Sequence, residues 1–595
     1  LPLGMEETYT YDVLGNLLSV TDFNGNTITY EYDINNRMIK KTFPDGSTET
    51  YTYTETGNKE TITTGEGTTR YVYDDNERLI RIEYPDGTEI KYTYDEEGNR
   101  TSVTVPSGTT RYTYDELNRL TTVIDPDGGI TRYVYDANGN RSSVIYPNNT
   151  VTEYTYDSLN RLTELVNRKA DGTIISSYRY ILGPKGNRLK VEENNGRKVE
   201  YEYDELYRLI EERIFDPIEG YSTISYTYDA VGNRLTRNVD GVTIRYTYDD
   251  NNRLITEGET IYSYDDNGNM IGKIDFDGVI NYFYDYQNRL IKVKTMDSTI
   301  EYKYNTSGIR TSVNVNGNIV NYLIDENRDY AQVLEERDNS SNLLASYIYG
   351  DDLISLNRGT GKSYYHYDGL GSTRALTNNA GTITDTYTYD AFGLLLKKTG
   401  DTENNYLYTG EQYDPNIGFY YLRARYMNPC IGRFINMDIW EGNIYDPVTL
   451  HKYLYANADP VNHIDPSGMF SLMELPIVQS LMSRLNNLKF ANYLKMYWKM
   501  DTMAKQIEAL NFARVFFLAM LSPDYTSKNS VNIKVVSNSK YWPNKIDIQI
   551  RFQKGKPVQI RGVFKKDGKP DIRVDINLQS PFVWDNLHLS LGGKI

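Results

Sequence analysis

The chain has 595 residues, among them 57 Tyr and a single Cys, Cys430, and carries a formal net charge of −17. One cysteine excludes an intramolecular disulfide framework. The sequence contains no run of 18 apolar residues, so a membrane-spanning helix is not expected. Leu1 is not an initiating methionine and nothing near it resembles a signal peptide, so we expect upstream sequence or processing.

Charge and tyrosine content divide the chain near residue 469. Residues 470–595 hold 19 Lys+Arg and 9 Asp+Glu, a net of +10, which leaves −27 for the first 469 residues. Of the 57 tyrosines, 53 lie before residue 470. Two parts with such different compositions predict two different roles.

The first part is a repeat array. The string Tyr-x-Tyr-Asp or a degenerate copy recurs every 20 or 21 residues between Tyr9 and Tyr154, and an Asn-Arg-Leu or Gly-Asn-Arg phrase follows many copies. Tyr alternating with Thr or Val predicts short strands, and Pro-Asp-Gly or Asp-x-x-Gly-Asn predicts the turns between them. Complete copies begin at Tyr9, Tyr30, Tyr71, Tyr92, Tyr112, Tyr133, Tyr154, Tyr201, Tyr226, Tyr246, Tyr262, Tyr282, Tyr365 and Tyr387.

This pattern predicts a ribbon of β-hairpins. We expect the two rings of each unit to stack on the rings of the neighbouring hairpin. The Asp that ends each strand is expected to bind turn amides, and the following Arg to reach the next unit's carboxylate. The alternative role for the same tyrosines is a carbohydrate-binding surface.

The units resemble the YD repeats of the Rhs/YD-repeat family, which includes bacterial polymorphic toxins, the C component of insecticidal ABC toxins and animal teneurins. The resemblance covers roughly residues 5 to 469. It implies a mainly β fold, in which hairpins wind into a spiralling sheet that forms a hollow shell. On this basis we predict a YD-repeat shell over 1–363, an Rhs-associated core over 364–469 and a small α+β toxin domain over 470–595.

The phrases beyond residue 364 resemble the Rhs-associated core domain, which implies an aspartyl protease that cuts its own chain. Asp438 and Asp465 match the two aspartates of that family, and Arg425 matches the arginine beside them. The cut is expected between Met469 and Phe470. Two carboxylates suit this reaction because one can activate water while the other donates a proton. The phrases include Gly418-Phe419-Tyr420-Tyr421-Leu422-Arg423-Ala424-Arg425-Tyr426 and Asp465-Pro466-Ser467-Gly468-Met469.

The chain departs from the core pattern at two places. Met469 replaces the usual Leu before the cut, which conserves volume. Ile439-Trp440-Glu441-Gly442 stands where the family has Pro-x-Gly-Leu. Without the resemblance, Asp-Pro-x-Gly would be interpreted only as a tight turn.

The residues after Met469 predict helices over 472–521 and a β meander over 531–595. By the resemblance this is a variable toxin domain. It lacks cysteine, has one histidine and has no Glu after Glu508, which disfavours Cys nucleophiles, zinc deaminases and Glu-dependent sites. Its net charge of +10 favours a polyanionic partner.

We therefore predict that this domain is a metal-independent ribonuclease that needs no cofactor. His588 is the candidate acid or base, Arg561 and Arg573 are the candidate phosphate ligands, and Lys569 lies nearby. The alternative is a membrane-active toxin that uses the apolar helices.

The resemblance also implies partners and a location. The shell is expected to enclose its own C-terminal toxin domain. An immunity protein and a secretion or delivery machinery are expected, with a secreted or cell-surface protein delivered into competitor or host cells. The alternative from another class is a cell-surface adhesion or carbohydrate-binding YD protein without toxic activity.

Overall fold

The computed structural model describes residues 3–359, 361–442, 446–469, 471–473, 530–536, 545–553, 556–565, 571–577 and 588–592. The chain separates into two compact units, Leu1–Ser483 and Arg484–Ile595. The domain boundaries predicted at 363/364 and 469/470 remain predictions. The described residues are nearly all β.

The first unit is built on a meander of 38 strands, in which each strand pairs antiparallel with the next one along the chain. The first nineteen strands are β1 Thr8–Tyr11, β2 Leu17–Thr21, β3 Thr27–Tyr32, β4 Met38–Thr42, β5 Thr48–Tyr53, β6 Lys59–Thr64, β7 Gly67–Tyr73, β8 Leu79–Glu83, β9 Glu89–Tyr94, β10 Arg100–Val105, β11 Gly108–Tyr114, β12 Leu120–Ile124, β13 Ile130–Tyr135, β14 Arg141–Ile145, β15 Val151–Tyr156, β16 Leu162–Arg168, β17 Ile174–Leu182, β18 Arg188–Glu193 and β19 Lys198–Tyr203. The next nineteen are β20 Leu209–Asp216, β21 Gly220–Tyr228, β22 Arg234–Val239, β23 Val242–Tyr248, β24 Leu254–Glu257, β25 Thr260–Tyr264, β26 Met270–Asp275, β27 Gly278–Tyr284, β28 Leu290–Lys294, β29 Thr299–Tyr304, β30 Arg310–Val315, β31 Asn318–Asp325, β32 Gln332–Asp338, β33 Leu343–Tyr349, β34 Leu353–Asn357, β35 Lys362–Tyr367, β36 Thr373–Thr377, β37 Ile383–Tyr389 and β38 Leu395–Thr399.

The aspartate of each repeat organises the turn that follows it. Asp33 Oδ1 accepts hydrogen bonds from the backbone N–H groups of Asn35 and Arg37 at 2.9 Å each, and its Oδ2 accepts one from Arg37 Nε at 2.7 Å. The arginine four residues after the aspartate thus pairs with its own turn, and the expected reach to the next unit's carboxylate is wrong for these arginines. The same pairing recurs at Asp74–Arg78, Asp115–Arg119, Asp157–Arg161, Asp204–Arg208, Asp249–Arg253 and Asp285–Arg289.

The two tyrosines of a repeat lie in different environments and make different contacts. The first ring is buried in the core, as at Tyr133. The second donates its hydroxyl to the preceding hairpin, as Tyr135 does to Leu120 O at 2.8 Å. The Arg119 guanidinium lies over the Tyr135 ring, 4.5 Å from its centroid. Here the neighbouring unit supplies a cation over the ring, so the expected ring-on-ring stacking is wrong for this tyrosine.

The meander curls so that its strands contact strands about 240 residues later in the chain. Tyr84 donates its hydroxyl to Ile324 O at 3.2 Å, and Lys303 pairs with Glu66 at 2.7 Å. Asn24 Nδ2 donates to Asp265 Oδ2 at 3.1 Å. Since partners keep nearly constant spacing along the chain, the sheet is a spiral, as predicted.

A segment of short elements follows the meander and packs onto its core. Arg310 at the start of β30 is 2% exposed and bonds to the buried Asp414 at 2.8 Å. This ion pair joins the spiral to the segment. The segment contains β39 Gln412–Asp414, β40 Phe419–Leu422, β41 Arg425–Asn428, β42 Arg433–Phe434, β43 His463–Ile464, β44 Leu472–Met473 and the 3₁₀ turns Tyr408–Gly410, Pro447–Leu450 and Ala456–Ala458.

The described residues of the tail form an antiparallel meander of five strands within the range 531–595 where the sequence predicts one, apart from Ser530 at its start. Leu472 and Met473 belong to β44, which pairs with β43, so the predicted helix does not begin at 472. The backbone there continues a hairpin. The rest of the predicted helical segment, 474–521, lies outside the described residues. The tail strands are β45 Ser530–Val536, β46 Lys545–Gln553, β47 Lys556–Lys565, β48 Asp571–Asn577 and β49 His588–Gly592.

Candidate active site

A tight hairpin turn places Arg425. Leu422 pairs directly with Arg425, so only Arg423 and Ala424 form the turn between β40 and β41. Arg423 has φ 62°, the left-handed conformation that such two-residue turns require. The guanidinium of Arg425 then lies against the ring of Phe434, 3.6 Å from its centroid, and is 4% exposed.

Arg425 joins the two predicted aspartates. One terminal nitrogen of its guanidinium lies 2.8 Å from Asp438 Oδ2 and 3.7 Å from Asp465 Oδ2. The two carboxylate oxygens are therefore no farther apart than the sum of those distances. Asp438 is 8% exposed and Asp465 is 2% exposed. The structure thus brings together all three residues that the sequence singled out for self-cleavage.

Asp438 is fixed by backbone contacts on both sides. Its N–H donates to Lys452 O at 3.0 Å, and its Oδ1 accepts from the N–H of Trp440 at 2.8 Å. Arg425 also donates to Lys452 O, at 3.0 Å. The Ile-Trp-Glu-Gly departure from the family phrase therefore still supplies an amide that holds the carboxylate.

Asp465 opens the loop that joins β43 to β44. Its Oδ1 accepts from Ser467 Oγ at 3.0 Å and from the N–H of Met469 at 3.1 Å. Gly468 in this loop has φ +69°, and its carbonyl accepts a hydrogen bond from Arg425 Nε. Met469 is buried, whereas Phe470, the other side of the predicted cut, lies outside the described residues. The guanidinium that joins both aspartates thus also holds the carbonyl one residue before the predicted cut.

Burial perturbs both carboxyls. It raises the pKa of Asp465 to about 7, with Arg425 lowering it and Asp438 adding to the rise. Burial also raises the pKa of Asp438, against the lowering effect of Arg425. At neutral pH such a pair can hold one proton between two groups, which is the state that carboxylate-catalysed hydrolysis needs.

Sequence reasoning missed three residues around the loop. Arg423 donates to Glu411 Oε2 at 2.8 Å and to the Pro466 carbonyl. Ser467 Oγ accepts from the N–H of Met469 at 3.1 Å. Gly468 passes so close to Leu422 O that a Cβ would overlap it. The Arg-x-Arg phrase and the Gly of Asp-Pro-x-Gly carried these signals, but their partners are far away in sequence.

Comparison with known families accounts for the meander and the segment after it. The teneurin YD-shell model matches residues 44–180 and 185–461, and the RHS repeat model matches residues 11–48. The chain belongs to the YD-shell family. The sequence had predicted this membership, and the family model confirms it.

Relatives of this YD-shell protein include two bacterial nucleases. The tRNA3(Ser)-specific nuclease WapA of Bacillus spizizenii is 34% identical over 262 residues, which cover 42% of this chain and 11% of WapA. The tRNA nuclease WapA of Bacillus subtilis is 33% identical over the same length and the same shares. The chain therefore spans about a tenth of the length of these relatives.

Solved structures share the YD-shell fold. A TcdB2-TccC3 crystal structure without its hypervariable C-terminal region is 18% identical, with a TM-score of 0.57 over 78% of this chain and 28% of that one. A second, TcdB2-TccC3-TEV, is 18% identical with a TM-score of 0.56 over the same shares. At this identity the likeness shows the fold alone.

The strands of the tail contain three of the four residues predicted for a ribonuclease site. Arg561 in β47 lies directly opposite Asp575 in β48, and Asp575 lies directly opposite His588 in β49. Arg573 pairs with Val563 on one side and with Ser590 on the other. The register thus brings Arg561 and His588 to one row with Asp575, which the sequence had not singled out. Lys569 lies outside the described residues.

In the part of the chain that the structure describes, no three His, Cys, Asp or Glu side chains are grouped as a metal site would require. Of the same residues, none lies in a helix long and apolar enough to cross a membrane.

Proposed function

We propose that this YD-shell protein is a self-cleaving toxin that cuts its own chain between Met469 and Phe470. The observation that carries the proposal is the buried Arg425 guanidinium, which contacts Asp438, Asp465 and the carbonyl of Gly468. Two aspartates and the backbone beside the predicted cut thus meet at one cation.

The two aspartates take different roles in the proposed reaction. Asp438 takes the role of the base because Arg425 lies nearer to it, at 2.8 Å, than to Asp465, at 3.7 Å; it accepts a proton from the attacking water. Asp465, with its pKa raised to about 7, donates a proton to the carbonyl oxygen of Met469. Water adds to the carbonyl carbon, and the C–N bond breaks. Asp438 passes the proton taken from water to the nitrogen of Phe470, and Asp465 regains a proton from a hydroxyl of the tetrahedral intermediate. The products are a carboxyl at Met469 and an amine at Phe470.

The tail is proposed to be a toxin that acts on RNA without a metal. Its net charge of +10 suits a polyanion, and the WapA relatives are nucleases. Arg561, Asp575 and His588 occupy neighbouring register positions, where a phosphate ligand and an acid or base are needed together. We also propose that the shell encloses this tail, that an immunity protein restrains it, and that the protein is secreted and delivered into target cells.

Cleavage is tested with the full chain on a denaturing gel. The unmutated chain is expected to give two fragments, and mass spectrometry should place the new amino terminus at Phe470. Asp465→Asn should remain one chain of 68.7 kDa, whereas Asp385→Asn, an aspartate just as buried in β37, should still be cut. Fragments that persist unchanged in Asp465→Asn would reject the proposed role of this carboxyl.

The toxin activity is tested by expressing residues 470–595 in a bacterial host. Growth arrest with degraded RNA is expected, and His588→Ala should restore growth. Unaffected growth would count against a toxin. Arrest with intact RNA and DNA would reject the nuclease, and dye leakage from vesicles would then favour the membrane-active alternative.

A further inference from the structure

The hairpin turn that places Arg425 also grips the loop that is proposed to be cut. Three consecutive carbonyls of the loop accept hydrogen bonds from three consecutive residues of the hairpin, two in the turn and one at the start of β41. Arg423 donates to the carbonyl of Pro466, and Arg425 donates from Nε to the carbonyl of Gly468. Between them, the backbone N–H of Ala424 donates to the carbonyl of Ser467 at 3.2 Å. One backbone and two side-chain hydrogen bonds therefore hold the loop along the hairpin in a single register.

The guanidinium of Arg423 is itself fixed from several sides. One terminal nitrogen bonds both to Glu411 Oε2, at 2.8 Å, and to the Pro466 carbonyl. Its Nε donates to Ala331 O at 3.3 Å, and the group lies over the Tyr330 ring, 5.4 Å from the centroid. Ala331 and Tyr330 belong to the connection between β31 and β32. Arg423 thus ties the loop to the spiral sheet as well as to Glu411.

The hydrogen bonds of Arg423 go to Ala331 O, Glu411 and the Pro466 carbonyl, so we expect its effect on cleavage to pass through the loop. Peptide hydrolysis depends steeply on placement, since a displacement of about 1 Å can cost about 10²-fold in rate. A charge-assisted hydrogen bond to a carbonyl is a directional restraint that a neutral side chain supplies more weakly.

We infer that Arg423, oriented by Glu411, is a positioning residue that sets the register of residues 466–469 in the cleavage site. This inference rests on the proposed self-cleavage. Arg423 selects which bond reaches the two aspartates, and Gly468 is needed because the turn allows no Cβ there.

The test compares Arg423→Gln, Arg423→Lys and a matched control in the full chain. The control is Arg337→Gln: both arginine side chains are 19% exposed, both pair with a buried glutamate, and both donate to a backbone carbonyl, but Arg337 bonds to Glu335 and Ser341 O. The chains are made by cell-free synthesis, and cleavage is followed after translation is stopped. Intact-mass measurement gives the new termini, and thermal unfolding gives stability.

We expect Arg423→Gln to slow cleavage by about 10- to 100-fold and to yield fragments cut at neighbouring bonds. Arg423→Lys should recover most of the rate, because one ammonium can still donate to both Glu411 and the Pro466 carbonyl. Arg337→Gln should lose a similar amount of stability but cleave within twofold of the unmutated chain.

Two outcomes would overturn the inference, and they can be told apart. If Arg423→Gln cleaves at the same bond and within twofold of the unmutated rate, the positioning role is wrong while self-cleavage stands. If the unmutated chain is not cut, the proposed function fails and the inference fails with it. Should Arg423→Gln fail to fold, the Arg423→Lys variant decides. If Arg423→Lys folds but cleaves as slowly as Asp465→Asn, a cation at this position does not restore cleavage and the inference is wrong.

Discussion

Replacing Gly468 by Ala should stop self-cleavage for a steric reason. Gly468 has φ +69°, and an added Cβ would overlap Leu422 O and lie 3.0 Å from the backbone nitrogen of Arg425. Both atoms belong to the rigid hairpin that carries Arg425. The loop, and not the hairpin, must therefore move.

The size of the effect follows from two separate contributions. The left-handed conformation costs a non-glycine residue about 1–2 kcal/mol. Relieving the overlap requires a shift on the order of 1 Å, which should slow hydrolysis by about 10²-fold. The overpacking itself should add about 1–3 kcal/mol to the loss of stability.

Gly87→Ala is the control that separates the conformational contribution from the steric one. Gly87 has φ +83°, and nothing lies within 4 Å of its added Cβ, so this variant bears the conformational cost alone. Cleavage in the full chain is followed on denaturing gels after cell-free synthesis, and unfolding by thermal denaturation. We expect Gly87→Ala to cleave at the unmutated rate and Gly468→Ala to remain largely intact. Equal cleavage rates for the two variants would show that the close approach of Gly468 to the hairpin does not control cleavage.

Three further predictions concern ionisation and packing. Burial raises the folded-state pKa of Asp465 to about 7, so its neutral form is favoured below that pH. The cleavage rate and the stability linked to this proton should both fall as pH rises through 7. A cleavage rate that is flat from pH 6 to 9 would contradict this. Arg310→Ala removes the ion-pair partner of the buried Asp414 and should lower the free energy of unfolding, measured by chemical denaturation, by about 3–5 kcal/mol. Lys40→Ala, in the exposed pair with Glu31, should lower it by less than about 1 kcal/mol. Equal losses of stability in the two variants would contradict this prediction. Tyr135→Phe removes the hydrogen bond to Leu120 O and should cost about 0.5–1.5 kcal/mol by the same assay, whereas no change would show that this bond does not stabilise the ribbon.

The repeat units were predictable because their signals are local. Asp33 and Arg37 are four residues apart, and alternating tyrosines define each strand without any distant contact. The spiral was harder to derive from residues, since Tyr84 and Ile324 meet only after the curvature of many hairpins accumulates. The resemblance supplied that feature. The pairing of arginine with its own aspartate was missed because a carboxylate in either unit fits the same sequence pattern.

The candidate site was predictable only as a set of residue types. Asp438, Asp465 and Arg425 came from the resemblance, and the structure brings them together. The Arg-x-Arg phrase pointed to Arg423, but its partner Glu411 could not be found from sequence, because the two act together only through a turn that folds back on residues 466–468. Asp575 was missed for a similar reason: its position opposite both Arg561 and His588 depends on strand register.

Self-cleavage between Met469 and Phe470 is decided by the mass of the fragments that the full chain produces. The unmutated chain of 68.7 kDa is expected to yield two fragments, the smaller one beginning at Phe470, whereas Asp438→Asn and Asp465→Asn should each remain whole. A folded, unmutated chain that stays in one piece would contradict it.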